Sequence, residues 1–431
     1  ADENVAVGYN SLSTNTLGNR NVAVGTGALA TLNQTTATDS NNTAVGQAAG
    51  YALTTGINNV FIGMAAGDAQ TTANQNVAIG KDSMTSNVAG AKNVAVGTGT
   101  LANYNATASD SYNTCVGDHA GSAVTTGEAN TLIGARAGDA LTDADYNTAI
   151  GLDALAADTL GSRRVAIGYE ALAKQNFTTA TVSLNTAVGY GAGYSVTTGT
   201  NNTLIGYQTG YGVTTGGFNV AVGDEALRTT TTGARNLAMG RYAGYGLTSG
   251  NDNVLIGYTN GYANGASNQL STGGGNQLIG NYCQVAAATD TYESVIGHSI
   301  TGKGTQTFMA GGTSGAYNGA NSSSWSTTSD RRLKKNIVDC NIGLEEINKI
   351  KVREFEYRTE EEITELDGKL DKINVQGVQV GVIAQEIQEV LPSVVKETSQ
   401  GVLSVEPDNI TWHLVKAVQE LTARVKQLEE S

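Results

Sequence analysis

The stretch SDRRLKKNI, residues 329–337, places a serine hydroxyl five residues before a lysine amine. A serine hydroxyl is a weak nucleophile and attacks a carbonyl only when a nearby base accepts its proton. Neutral lysine is such a base in serine–lysine systems, provided that burial or neighbouring positive charge lowers its pKa by about three units. Arg331, Arg332 and Lys335 bring positive charge to this stretch. These residues alone leave two interpretations open, a serine–lysine pair or a basic linker whose charges are solvated.

Other chemistry-bearing residues show no pattern. The histidines and cysteines are His119, His298, His413, Cys115, Cys283 and Cys340. None of the histidines lies in the spacing of a metal site, so no metal or other cofactor is expected. An odd number of scattered cysteines argues against a disulfide framework and favours folding in a reducing compartment.

The charges divide the chain into two parts. Residues 1–328 contain 30 Asp, Glu, Lys and Arg, whereas the 103 residues of 329–431 contain 34. This difference predicts at least two structural units. The net charge of −14 argues against nucleic-acid binding, and no apolar run is long enough to insert in a membrane.

The charged part must position the serine and the lysine, and its pattern predicts a small α+β unit. Helical spacing is found in 342–350 and 384–391, and strand alternation in 352–358, 378–384 and 402–406. The charged run 359–377 predicts a hairpin or flap. A final helix is expected to begin at a cap, Asp408 or Asn409. Its apolar residues recur at alternating intervals of four and three, which predicts a trimeric coiled coil: Leu414, Val418, Leu421, Val425 and Leu428.

The first part is one repeat. Asn, an apolar triplet and Gly recur seventeen times, as in NVAVG, NVFIG and NQLIG. The step is 17 residues except at four places, where it is 20 to 23. Such a period predicts a parallel β-solenoid of 17-residue coils, with room for two short strands and two turns in each coil. The strand spacing makes this solenoid about 80 Å long.

The apolar triplet predicts two buried faces. The residue before each glycine is Val, Ile or Met, as at Val24, and is expected to point into the coil. Strand alternation places the preceding residue, usually Ala, on the opposite face. We therefore expect three chains to pack through this second face, represented by Ala23, Ala95 and Ala166. A monomeric solenoid is the alternative. The Asn side chains are expected to bond to one another along the axis.

The longer steps predict surface insertions on one side of the solenoid, at Asn33–Ser40, Ala106–Ser111 and Thr178–Leu184. Tyrosines cluster after the glycines of the later coils, as at Tyr190 and Tyr207. A tyrosine row can stack against sugar rings, or its rings can stack on one another and stabilise the coils.

The repeats resemble the head repeats of trimeric autotransporter adhesins, whose coils form a left-handed parallel β-roll in a trimer. The final segment carries WSTTSDRRLKKNI, EFEYR, GVIAQEIQEVLPSVV and LVKAVQEL in that order. These motifs resemble the C-terminal self-cleaving intramolecular chaperone of phage tailspikes and tail fibres. The resemblance implies that Ser329 is the nucleophile, that Lys334 is its base, and that the bond cut is Thr328–Ser329.

These patterns together predict three regions. Residues 1–302 are expected to form the solenoid, 303–328 a Gly/Ser-rich linker, and 329–431 the chaperone and autopeptidase. The expected protein is a homotrimeric phage tail-fibre segment that folds in the host cytoplasm, becomes part of the virion, and binds a host surface glycan or protein receptor. Two alternatives are a bacterial trimeric surface adhesin and a polysaccharide-degrading tailspike. The acidic final helix argues against the first, which needs a membrane anchor of alternating apolar strands.

Overall fold

A computed structural model of the protein describes residues 1–106, 110–262, 268–311, 316–318, 331–358, 362–363, 377–397 and 402–431. The chain divides into two compact units, Ala1–Thr328 and Ser329–Ser431. Among the residues described, no helix is long and apolar enough to cross a membrane.

The first unit is a parallel β-solenoid in which each coil adds one short strand to a single sheet. Successive strands pair in parallel and in register, so that Val5 lies beside Val22 and Ala6 beside Ala23. Within the described ranges the sheet consists of Val5–Val7, Val22–Val24, Thr43–Val45, Val60–Ile62, Val77–Ile79, Val94–Val96, Thr114–Val116, Thr131–Ile133, Thr148–Ile150, Val165–Ile167, Thr186–Val188, Thr203–Ile205, Val220–Val222, Leu237–Met239, Val254–Ile256, Gln277–Asn281, Ser294–His298, Phe308–Gly311 and Ala316–Asn318. This sheet confirms the mainly β solenoid that the repeat predicts.

The solenoid has about 18 turns, one more than the repeats predict. The extra strand, Phe308–Gly311, pairs in parallel with Ser294–His298. The sequence hides this coil because Thr307 stands where most repeats have Asn and because its step is shorter than the others. The chain then reverses, since Ala316–Asn318 pairs antiparallel with the extra strand. Part of the segment predicted as a linker therefore belongs to the sheet.

The rest of each coil is a run of turns rather than a regular second strand. The backbone after the glycine takes positive φ at alternate positions, as at Ala48 (55°) and Gly50 (59°). These turns bond to the next coil, for example from the Gly50 N–H to the Ala66 carbonyl at 2.9 Å.

The predicted insertions fold back on the preceding coil. Three parallel pairings result within the described segments: Gly18–Asn19 with Thr38–Asp39, Ala91 with Asp110, and Gly161–Ser162 with Thr181–Val182. In each case the insertion contacts a residue ten or eleven positions after the strand glycine of the preceding coil. The insertions therefore lie on one side of the solenoid, as predicted.

The two faces of the strands are the reverse of the prediction. Ala23, Ala95 and Ala166 are completely buried in the core of a single chain. The residues before the glycines face outward instead, and Val45 and Ile62 are each 37% exposed. The prediction that the three alanines form a trimer face is therefore wrong, because a partner cannot reach them.

Volume explains why the alanines are inside. Each coil encloses little space, and in many coils a small strand residue shares its coil with a large residue four positions after the glycine, as Ala95 does with Leu101. Where the strand residue is Phe61, Leu132, Leu204 or Leu255, that position is glycine. The coil before each of these is small at both positions, as at Ala44 with Gly50. A Cβ on Gly67 would lie only 2.6 Å from the Phe61 ring. This complementarity fills the core at the density that protein interiors require.

A ladder of buried Asn side chains runs beside the core, as predicted. The backbone N–H and the side-chain Nδ2 of Asn59 both donate to Asn42 Oδ1, at 3.0 and 3.1 Å. The same Nδ2 donates to the Ala73 carbonyl at 2.9 Å. Buried charged residues, Arg164 and Glu293, occupy two positions of this ladder.

The second unit contains helices and two small sheets, as the pattern of its sequence predicts. In the described ranges its helices are Leu344–Ile347, Ala384–Val390 and Pro407–Glu429, with 3-10 turns at Arg331–Leu333 and Pro392–Val394. The strands pair antiparallel, Arg353–Phe355 with Gln379–Gly381 and Val395–Glu397 with Leu403–Val405. Ile387, Leu391 and Val394 are the centre of the core. The last helix begins at Pro407, and Glu406 occupies its N-cap position without a side-chain capping hydrogen bond, so neither Asp408 nor Asn409 is the N-cap.

Candidate functional site

The predicted cleavage bond, Thr328–Ser329, lies outside the described residues. Lys334 is described and is exposed after the 3-10 turn Arg331–Leu333. Its backbone N–H donates to the Arg331 carbonyl at 3.1 Å, which fixes the backbone of the basic stretch in a short turn. The serine–lysine pair stays a prediction of the sequence.

An ion pair ties the first strand of the second unit to its middle helix. Arg353 donates from Nε and Nη2 to the two carboxylate oxygens of Glu386, at 3.1 and 2.6 Å. Two parallel bonds of this kind fix orientation as well as distance. The hydrogen bond from Arg353 lowers the pKa of Glu386 below its ordinary value.

The terminal helix is attached to the short helix Leu344–Ile347 through a backbone contact. Glu420 accepts the Leu344 N–H at 2.9 Å and so binds a free donor at the start of that helix. Glu346 accepts the Gly343 N–H at 3.1 Å, and this backbone hydrogen bond lowers the pKa of Glu346. The terminal helix is therefore held on one side by the rest of the unit.

The predicted heptad residues lie beside the buried face of the terminal helix, since Leu414 and Leu421 are three residues before and four residues after Ala417. On the inner side Ala417 is 4% exposed, and Ile410 packs against the core. The heptad residues are exposed by 45, 61, 49, 46 and 76%: Leu414, Val418, Leu421, Val425 and Leu428. These five residues, called the heptad seam below, form an apolar surface that the described part of the chain leaves uncovered.

The terminal helix carries further exposed apolar residues outside the heptad seam, which the heptad spacing does not reveal. Trp412 is 70% exposed and Val415 is 45% exposed on the same helix. An exposed tryptophan is rare in a self-contained domain and common at interfaces. The signal was present in the sequence, because Trp412 and Val415 are three residues apart and lie on one side of a helix.

Two carboxylates of the solenoid have an unusual environment. Asp68 and Asp139 occupy the same position of their coils, and one oxygen of each is buried without a hydrogen-bond partner among the described residues. Burial raises the pKa of both carboxyl groups. The three cysteines are free thiols, and the described residues contain no group of three or more His, Cys, Asp or Glu that could hold a metal ion.

Residues 329–396 match the model of a protein family described as chaperone of endosialidase. Members of that family are self-cleaving intramolecular chaperone domains. No solved structure matches the chain. A β-solenoid followed by a segment similar to this family fits a tailspike or fibre that carries a C-terminal chaperone domain.

Proposed function

We propose that this chain is a phage tail-fibre segment whose second unit assembles three chains and then releases itself by cutting the Thr328–Ser329 bond. One observation carries the proposal. The family match begins at Ser329, which is also the first residue of the second compact unit. A cut at that bond would separate the two units without dividing either of them.

The heptad seam supports assembly of three chains. Three parallel helices with apolar residues at these positions bury them against one another. The outward residues of the solenoid sheet offer a second contact surface, since Ile133 and Ile205 are 37 and 38% exposed. The trimer is proposed to form through these two surfaces, and the alanines of the core take no part in it.

The proposed reaction is an acyl transfer followed by hydrolysis. Ser329 Oγ attacks the carbonyl carbon of Thr328 while neutral Lys334 accepts the hydroxyl proton. The C–N bond breaks, and the Ser329 nitrogen takes that proton as it leaves. Water then hydrolyses the ester, which leaves a carboxylate on Thr328 and restores the Ser329 hydroxyl. Because Lys334 is exposed in the single chain, assembly is proposed to bury it and so keep it neutral.

The remaining part of the proposal concerns location and partners. The solenoid is proposed to fold in the reducing host cytoplasm and then to bind a host surface receptor as part of the virion. Its free and completely buried Cys115 and Cys283 suit reducing conditions.

Mass spectrometry of the full chain tests the cleavage. We expect a fragment of 103 residues (431 − 328) that begins at Ser329. Ser329→Ala and Lys334→Ala should each leave the chain uncut and folded, whereas Lys335→Ala, the matched control, should be cut normally. If Ser329→Ala is still cut at this bond, the dyad is wrong and an external protease acts there.

A further inference from the structure

One corner of the solenoid is formed by the residues five positions before each strand glycine. In five successive coils these residues are Lys92, Tyr112, Ala129, Tyr146 and Arg163, with φ between 53° and 61°. The coils stack directly at this corner, because the Tyr146 N–H donates to the Glu128 carbonyl at 3.0 Å. The row is therefore continuous along the axis, and it is symmetric: a cation, a tyrosine, an alanine, a tyrosine and a cation.

Each tyrosine has a cation from the coil beyond it, on the side away from Ala129. Lys92 Nζ lies 5.2 Å from the centre of the Tyr112 ring and 3.3 Å from its hydroxyl, and Arg163 Cζ lies 5.7 Å from the centre of the Tyr146 ring. On the side toward Ala129, the neighbouring residue of the row is an alanine, whose methyl group is too small to cover a ring. The tyrosines are 57 and 60% exposed, which leaves the space between them open to solvent.

The space between the rings has the size of one sugar ring. Two coils separate the tyrosines, or about 9.5 Å at the usual strand spacing. A ring that stacks on both tyrosines at about 4.5 Å needs about 9 Å. A puckered pyranose fills this space, and an aromatic ring can fill it as well, since Tyr190 stacks between Tyr169 and Tyr207 at 5.0 and 5.4 Å.

We propose that Tyr112, Ala129 and Tyr146 form a slot that binds one neutral pyranose ring of a host surface glycan. The inference rests on the adhesion part of the proposed function and names its ligand class. Charges of both signs surround the slot, because the cations Lys92 and Arg163 accompany Asp110 and Asp145, and Asp110 is paired with Lys92 at 2.5 Å. No net charge is therefore left to select an ionised sugar, and a neutral ring is the expected ligand.

The tyrosine row after the strand glycines, which the sequence predicts could stack against sugar rings, has no such open space at Tyr190. Tyr190 stacks on Tyr169 and on Tyr207, with ring centres 5.0 and 5.4 Å apart. Both faces of Tyr190 are therefore occupied by protein, and that row stabilises the coils. By the same stacking, a tyrosine at position 129 would fill the space between Tyr112 and Tyr146.

Binding of methyl pyranosides of glucose, galactose, mannose and N-acetylglucosamine to the full chain tests the slot, with saturation-transfer NMR as the readout. Ala129→Tyr should fold, stack between Tyr112 and Tyr146, and abolish binding of any pyranoside that the wild-type chain binds. Tyr112→Ala should weaken binding about tenfold through loss of one stacking contact. Asn201→Tyr, the same change in the same row but four coils further along, should bind as the wild type does.

Three results would overturn the slot: no pyranoside binds, binding survives Ala129→Tyr and Tyr112→Ala, or p-cresol binds in place of the pyranosides. Adherence to host cells, measured in parallel, separates this inference from the proposed function. If the wild-type chain and Ala129→Tyr adhere equally, the slot is wrong and adhesion stands. If the wild-type chain does not adhere but binds a pyranoside that Ala129→Tyr excludes, adhesion is wrong and the slot stands.

Discussion

The two units of this chain place their apolar residues differently. In the solenoid, Leu29 and Leu101 are completely buried inside a single chain. In the second unit, Val418 and Leu421 are 61 and 49% exposed on a helix of 23 residues. The solenoid thus has a core of its own, whereas the terminal helix has an apolar surface that the described part of the chain leaves uncovered.

This difference supports the proposal that the second unit, rather than the solenoid, directs the assembly of three chains. A solenoid whose coils are filled one by one needs no partner for its core, and its register is fixed by the Asn ladder and the Ala–Leu complementarity. Repeated coils are nonetheless prone to pairing in the wrong register between chains. A separate unit with an uncovered heptad seam can align three chains once, at one end, and this division fits a chaperone that is later removed.

The largest expected effect comes from a charge in the heptad seam. Leu421→Asp should convert the trimer to a monomer and stop cleavage, because three carboxylates cannot be buried together at the centre of a coiled coil. The solenoid should keep its circular dichroism, since its core lies within one chain. Light scattering and mass spectrometry measure assembly and cleavage.

Gln419→Asp is the matched control, because Gln419 is exposed on the same helix and outside the seam. It should remain trimeric and be cut. A trimer formed by Leu421→Asp would exclude the seam as the interface. If Leu421→Asp also loses the circular dichroism of the solenoid, the solenoid core depends on assembly and is not complete within one chain.

The next effect concerns a buried ion pair that breaks the Asn ladder. Arg164 and Asp158 are both fully buried and bonded to each other, and Arg164 Nε also donates to Asn147 Oδ1 at 3.1 Å. Arg164→Asn alone leaves a buried carboxylate without its partner and should cost about 3–5 kcal/mol. The double change Asp158→Leu with Arg164→Asn places the residue types of the preceding coil, Leu141 and Asn147, at these positions. It should cost less than the single change, because no buried charge remains, but it removes the acceptor of the Gly161 and Phe177 N–H groups.

Hydrogen exchange of the amides in these coils measures both variants. Equal loss in the single and double variants would mean that Arg164 stabilises the coil through contacts other than Asp158. The result would also tell whether the ladder accepts Asn at any coil, as its regular geometry suggests.

Much of this fold could be predicted from the sequence, and the failures have physical causes. The period, the strand positions, the Asn ladder and the side of the insertions follow from spacing alone. The predicted buried and exposed faces of the strand are the reverse of those observed, because residue size at a single position does not show the volume of the coil. The pairing of Ala95 with Leu101, and of Phe61 with Gly67, was the missing signal, since it records the volume of the coil. The proposed contact between Lys334 and Ser329 cannot be read from spacing, because the spacing does not show what surrounds the two side chains.

That volume rule gives a smaller effect. Ala95→Leu should overfill the coil and cost about 1–3 kcal/mol, and Leu101→Gly should leave a cavity and cost about 2–5 kcal/mol. The double variant copies the pair Leu132 and Gly138 but keeps Met84 where the coil before Leu132 has Gly121, on which a Cβ would lie 2.8 Å from Leu132. Adding Met84→Gly should therefore recover most of the lost stability. Hydrogen exchange of the two neighbouring coils measures the stability of each variant. If the stability losses of the single variants simply add when the changes are combined, the volume rule is wrong.

The smallest expected effect is an opposite response to pH of two regions, the solenoid coils around Asp68 and Asp139 and the helices of the second unit. In the solenoid, burial raises the pKa of Asp68, Asp139 and Glu293. A carboxyl group whose pKa is raised in the folded state favours folding when it is protonated. Its stabilising contribution is complete below the ordinary pKa and is lost as pH rises through the raised value. In the second unit the pKa values of Glu346 and Glu386 are lowered, so their contribution is present above the ordinary pKa and is lost as pH falls.

Acidification from about pH 6 to about pH 4 should therefore strengthen the coils around Asp68 and Asp139 and weaken the helices tied by Glu346 and Glu386. Hydrogen exchange, corrected for the intrinsic rate at each pH, follows both units in one sample. Asp68→Asn with Asp139→Asn should remove the pH dependence of those coils, because the neutral amide cannot titrate. The control Asp252→Asn should leave it unchanged there, since Asp252 is paired with Arg235 on the exposed corner of another coil. If the coils around Asp68 and Asp139 and the helices tied by Glu346 and Glu386 all lose stability on acidification, the pKa values of these carboxyl groups are not shifted in opposite directions.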